Sequence, residues 1–154
     1  MGNLNNPGSP GSEVILKTSD ETVNNSDVRQ DDDELLLPLL ANEVWEFRCL
    51  IRVLGGVASD FSKNWTIPAG AVMKCLQDAA IGGLGVWGTL SAPTNQGAEN
   101  WVVSAAAERW ILMWGIVING ATAGDMQLQW AQDTAVAEDT KVLANSYIIA
   151  TRLA

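Results

Sequence analysis

Apolar side chains recur at every second position over long stretches of this chain, and no comparable helical period accompanies them. The strongest case is Arg109 to Gln132. Trp110, Leu112, Trp114, Ile116 and Ile118 share one parity, and Met126, Leu128 and Trp130 alternate with Asp125, Gln127 and Gln129. Period two, with Trp and β-branched residues at the repeating positions, specifies a pleated and half-buried strand. Between the two runs, Asn119 to Gly124 contains two glycines, which supply backbone angles other residues avoid. Strand, glycine loop, strand predicts an antiparallel hairpin at the centre of a β-sandwich.

The rest of the chain repeats the pattern. Val44 to Leu54 alternates Trp45, Phe47, Cys49, Ile51 and Val53 with Glu46, Arg48 and Arg52, and Gly55-Gly56 ends it. Asp60 to Ile67 places Phe61, Trp65 and Ile67 inward and Ser62, Asn64 and Thr66 outward. Leu35 to Leu40 carries Pro38, which restricts it to an edge strand or a bend. Turns are expected at Ala41-Asn42-Glu43 and Pro68 to Ala71. Further strands are expected at Glu13 to Leu16, Val72 to Leu76, Val86 to Leu90, Trp101 to Ser104 and Val142 to Arg152. Ala105 to Glu108 has the makings of a helical turn, and Asp133 to Thr140 of a polar loop. Seven or more short strands separated by turn signals indicate a sandwich or barrel.

Charge is unevenly distributed. Up to Glu34 there are eight acids and two bases, a net −6 of the chain's −9. The run Asp31-Asp32-Asp33-Glu34 lacks the spaced oxygens and glycine bend of a Ca²⁺ loop, and reads as a solvated loop or a handle for a basic partner. Residues 1–12 are rich in Asn, Ser, Gly and Pro and are expected to form a flexible arm. The acidic balance argues against nucleic acid, which needs clustered Lys and Arg. No apolar run is long enough for a membrane-spanning helix, and the N-terminus is unlike a secretory signal, so a soluble protein made in a cytoplasm is expected. The chain has no histidine, which removes the commonest general base and metal ligand. No catalytic, cofactor or metal site is predicted. Cys49 and Cys75 lack disulfide or metal spacing and read as buried hydrophobes.

Few residues suggest chemistry. Glu43 and Glu46 flank a strand start and could be cast as a carboxylate pair for hydrolysis, but neither nucleophile nor metal cluster accompanies them. Asn24-Asn25-Ser26 and Asn64-Trp65-Thr66 match the glycosylation triplet without a secretion signal. Of the seven tryptophans, Trp45, Trp65, Trp110, Trp114 and Trp130 share parity with apolar neighbours and point to core or subunit interface. Trp87 lies in the glycine-rich stretch 77–100 and Trp101 directly follows it, and these two are the candidates for stacking on a glycan. Ile111, Met113 and Val117 make the strand at 110–118 apolar on both faces. That favours an oligomer interface or a covering loop, with Trp110, Met113, Trp114 and Val117 as interface residues.

Several ordered strings resemble tailed-bacteriophage virion structural proteins. They are Val28 to Leu35, Leu40 to Phe47, Asp60-Phe61 with Trp65 to Gly70, Ile118-Asn119-Gly120 with Ala123-Gly124, Leu128 to Gln132, and Asn145-Ser146-Tyr147 with Arg152. The likeness covers roughly residues 14–153, and the stretch 77–100 departs from it. It implies an all-β, antiparallel, jelly-roll-like sandwich over residues 35–154, preceded by an arm and acidic linker over 1–34. It further implies a capsid decoration protein, commonly trimeric, on the virion surface, whose partner is the major capsid protein. Leu4, Pro7, Pro10, Val14, Ile15 and Leu16 of the arm would then touch capsid subunits. A tail or baseplate component with a glycan-binding β-domain is the alternative.

Overall fold

The computed structural model describes residues 11–79, 90–92, 99–101 and 107–154. Over these the chain is all-β and antiparallel, with twelve strands in two sheets. In chain order they are β1 (Ser12–Leu16), β2 (Glu21–Asn24), β3 (Gln30–Leu39), β4 (Val44–Gly55), β5 (Phe61–Thr66), β6 (Val72–Ala79) and β7 (Leu90–Ala92). There follow β8 (Glu99–Trp101), β9 (Arg109–Ile118), β10 (Gly124–Ala131), β11 (Asp139–Val142) and β12 (Tyr147–Arg152).

The smaller sheet has the order β3-β10-β5-β8, and the larger contains β1-β12-β4-β9-β6-β7, with β11 joining β4 to β2. From β3 to β10 the chain moves repeatedly between the sheets. The resulting two four-strand orders, β3-β10-β5-β8 facing β4-β9-β6-β7, are the connectivity of a jelly roll built from two Greek keys. The chain ends add β1, β2, β11 and β12 beyond β4, which broadens one sheet only.

The core follows the predicted alternation. Trp45, Phe47, Cys49, Ile51 and Val53 of β4 face Leu35, Leu37 and Leu39 of β3 and Met126, Leu128 and Trp130 of β10 across the interior. Phe61 packs on Trp130 and Phe47 on Trp65, and the Trp65 indole N–H points to Met113 Sδ at 3.3 Å. Cys49 and Cys75 form no disulfide and both are buried, as expected. The expected turns occur at Ala41-Asn42 and Ala69-Gly70, where Asn42 and Gly70 have positive φ, and β3 with its Pro38 is an edge strand.

Four expectations need correction. First, β9 and β10 are not a hairpin. Both edges of β9 are taken, by β4 and by β6, so β10 has no place beside it and crosses to the other sheet. Asn119 pins the crossing: its side-chain N–H₂ donates to Leu40 O at 2.7 Å and to Thr122 O at 3.0 Å.

Second, no arm or linker extends to residue 34. From Ser12 onward the chain is paired, β1 with β12 and β2 with β11, and the acid run is part of β3 rather than a solvated loop. Third, the last expected strand begins only at Tyr147, after a turn at Asn145 with φ 66°, and the end of the expected polar loop Asp133 to Thr140 belongs to β11. Fourth, Ser62 and Asn64 are buried although they point away from the core, and Lys63 is an inward residue whose ammonium donates to Gln77 Oε1 at 2.9 Å. The strand expected near Val86 to Leu90 lies largely outside the described residues, as does most of Trp101 to Ser104. Of the helical turn expected at Ala105 to Glu108, the first two residues also lie outside them, and Ala107 forms a β-bridge.

Candidate functional site

The outward side of the larger sheet is where apolar residues stand uncovered. Strand alternation sends every second residue there. In β9 these are Trp110 and Trp114, 54% and 53% exposed, with Leu112 and Ile118. Backbone pairing aligns them with apolar residues on other strands. One row runs Val14, Ile149, Arg48, Trp114, Leu76, from β1 to β6. The next runs Leu16, Tyr147, Leu50, Leu112. Five adjacent strands at ~4.8 Å spacing make this face about 20 Å wide.

Several of its charges are tied to the tryptophans, and Lys74 of β6 stands exposed beside them. The Arg48 guanidinium lies 5.3 Å from the Trp114 ring centroid, and the Trp114 indole N–H donates to Glu46 Oε1 at 2.7 Å. The Trp110 indole donates to Glu108, which also forms an ion pair with Arg52. Chiefly that Arg52 hydrogen bond holds the Glu108 carboxyl below the usual glutamate range. Both rings are thereby tied through their indole N–H to acids while remaining about half exposed. A shallow apolar concavity of about 390 Å³ lies beside Trp114, between Glu46, Leu76, Ile116 and Leu153. Gly115 permits the close approach of β9 to β6 there, since a Cβ would fall 2.4 Å from Lys74 O and 2.5 Å from Cys75 Cβ.

The predicted interface set divides. Trp110 and Trp114 are on the outer face, but Met113 and Val117 are fully buried in the core and are corrected accordingly: odd and even residues of one strand cannot share a face. The predicted arm set also divides. Val14 and Leu16 are exposed on the same outer face as Trp114, Ile15 packs against the core, and Leu4, Pro7 and Pro10 lie outside the described residues. Trp87 is outside them as well, and of Trp101 only the backbone is described. Val14 and Leu16 of the arm set thus share a surface with Trp110 and Trp114 of the interface set.

The carboxylates once paired by sequence are separated by function. Glu43 accepts from Leu40 N at 2.8 Å, Trp45 Nε1 at 3.0 Å and Arg152 Nη1 at 2.9 Å, clamping a turn and the last strand. Burial pushes its pKa up, and these bonds outweigh that and lower it. Glu46 belongs to the outer face. Asn64 of the second glycosylation triplet is buried in β5. Among the described residues no group of three His, Cys, Asp or Glu side chains is placed to hold a metal ion.

No family model matches the chain, and no curated protein matches it in sequence. Slight structural likenesses exist to virus particles. A chain in the structure of the infectious bursal disease virus Gt strain is 12% identical with TM-score 0.23, over 94% of this chain and 36% of that one. A chain in the crystal structure of the infectious bursal disease virus VP2 subviral particle is 9% identical with TM-score 0.23, over 93% and 40%. This chain spans well under half the length of those chains, and likeness at this level carries no argument about function.

Proposed function

We propose that this chain is a non-enzymatic structural protein of a virus particle, and within that class a decoration protein on the exterior of a tailed-phage capsid. The observation that carries the reading is the uncovered apolar face of the larger sheet. Apolar surface of this breadth, with tryptophans at its centre oriented by neighbouring charges, suits a protein–protein interface. Jelly rolls serve as capsid and lectin domains, although a fold alone does not assign a function. The ordered strings resembling phage virion proteins favour the capsid.

In this reading the outer face joins copies of the chain, as a trimer, through Trp110, Trp114 and their neighbours. The residues before β1, with Leu4, Pro7 and Pro10, contact the major capsid protein. An arm that orders on binding ties neighbouring subunits together, and repetition over a shell multiplies modest contacts. The net charge of −9 repels rather than binds packaged nucleic acid.

Sedimentation velocity of the purified chain, alone and with capsid shells that lack it, tests this. A trimer that co-sediments with shells at a saturating, repeating stoichiometry is expected. Deleting residues 1–10 should weaken shell binding and leave self-association intact. Failure of the intact chain to bind shells would reject decoration. Glycan binding through Trp87 or Trp101 in an array would then point to a tail component.

A further inference from the structure

We propose that Lys17 and Asp32 become joined by an isopeptide bond, from Lys17 Nζ to Asp32 Cγ, formed by the chain itself with Glu21 as proton carrier. The lysine is 1% exposed and the aspartate 0%, and Lys17 Nζ lies 3.0 Å from Asp32 Oδ1 and 2.9 Å from Glu21 Oε2. Three elements deliver the three side chains. Lys17 directly follows β1, where its N–H donates to Ser146 O and its carbonyl accepts from Asn145 N. Glu21 opens β2, and is steered by Gln30 Nε2 on Oε1 at 2.6 Å and by Asp33 N on Oε2 at 3.1 Å. Asp32 sits in a bulge of β3, where five steps from Asp31 to Leu36 oppose two steps from Gln129 to Gln127.

The bulge supplies what the reaction needs at the carbonyl. Asp32 Oδ1 accepts from the backbone N–H of Glu34 at 3.0 Å and of Leu35 at 2.8 Å, a pair of fixed donors for a developing oxyanion. Asp32 Oδ2 accepts from the Trp130 indole at 3.2 Å. Lysine and aspartate held in contact react as one molecule, which removes the entropic barrier that separates amines from carboxylates in water. Burial also strips both ions of hydration, which favours neutral products over the ion pair.

In the step itself Glu21 takes a proton from the Lys17 ammonium, and the freed lone pair attacks Asp32 Cγ. The C–N bond forms and the C–Oδ2 bond breaks. The departing oxygen leaves as water, with one proton returned by Glu21 and one lost from the lysine nitrogen. Ammonium and carboxylate give amide and water, Glu21 is unchanged, and no co-reactant enters. Burial pulls the Lys17 pKa down, but hydrogen bonds and charges of Glu21 and Asp32 raise it overall. The lysine therefore rests as the ammonium, and bond formation is a slow event that need occur once per molecule. The product ties the entry to β2 covalently to β3.

Intact mass of the folded, aged protein, measured under denaturing conditions, decides the matter. The expected result is a mass one water below that of the sequence, with peptide mapping locating a branched peptide that links Lys17 to Asp32. A full mass, or a deficit mapped elsewhere, overturns the proposal. Lys17→Arg should retain the full mass, and Glu21→Gln should retain it over the time in which the unaltered chain converts. Conversion of the Glu21→Gln chain at the unaltered rate would overturn the role given to Glu21. The unaltered chain decides the bond even if a variant fails to fold.

Discussion

The two faces of β9 are made from nearly the same kinds of residue and have opposite fates. Ile111, Met113 and Val117 point between the sheets, where β3, β5 and β10 supply packing partners, and are buried. Trp110, Leu112, Trp114 and Ile118 point the other way and remain exposed among the described residues. Hydrophobicity alone therefore does not say what is core. A strand's apolar face is core only where a second layer closes over it, and the sandwich supplies that layer on one side. The other side retains its capacity to bury area against a partner.

That contrast can be broken by substitution. The largest effect is expected from Met113→Ala, which opens a cavity under Trp65 and should cost about 2–5 kcal/mol in denaturant unfolding. A loss well below this would show that the interior is loosely packed. Gly115→Ala comes next. Its added methyl meets the backbone carbonyl of Lys74 and the Cβ of Cys75, and relief by strand displacement should cost about 1–3 kcal/mol. Unchanged stability there would mean that β6 and β9 can separate freely.

Trp114→Ala on the outer face should lower monomer stability by only about 0.5–1 kcal/mol, through loss of the contacts with Arg48 and Glu46. Combined with Trp110→Ala it should nevertheless abolish self-association in sedimentation velocity. A variant pair that unfolds, or that still associates, would erase the distinction between the faces.

The smallest effect concerns pH. Glu34 accepts from the backbone N–H and hydroxyl of Thr18 and of Ser19, and chiefly the Thr18 N–H brings its pKa from 4.5 down to about 2. A depressed carboxyl stabilises the fold fully above its unfolded value and ceases to do so as pH falls through its folded value. Melting temperature should thus decline between pH 4.5 and about 2, and Glu34→Gln should flatten part of that decline. The group is exposed, so added salt should reduce the difference.

Much of the fold was legible because period two is a local property. The parity of β4 and β10, the edge position of Pro38 and the turns at Ala41-Asn42 and Ala69-Gly70 each follow from residues close together in the chain. The acid run was misread for the same reason. Asp31 to Glu34 looks uniformly solvated until Lys17 and Trp130 are brought to Asp32 from far along the chain. Lys17 ends an apolar run and opens a polar one, and a charged side chain at that boundary gives no local sign of burial. The one available hint was the alternation itself, which continues backward from Leu37 and Leu35 through Asp33, and which the bulge then shifts so that Asp32 turns inward.

What the chain settled without its fold is that the apolar, alternating segments are strands and which residues oppose one another across them, since both depend on the pleat and on side-chain type. The polar strands β2 and β11 and the acidic start of β3 were not legible in this way. The sheet to which each strand belongs was settled only in three dimensions. Every strand has two edges, and β9 gave both to β4 and β6, so its neighbour in sequence crossed to the other layer. Edge occupancy is a property of the whole assembly of strands, and it decided that Met113 lies in the core, that Trp114 faces outward, and that Lys17 meets Asp32.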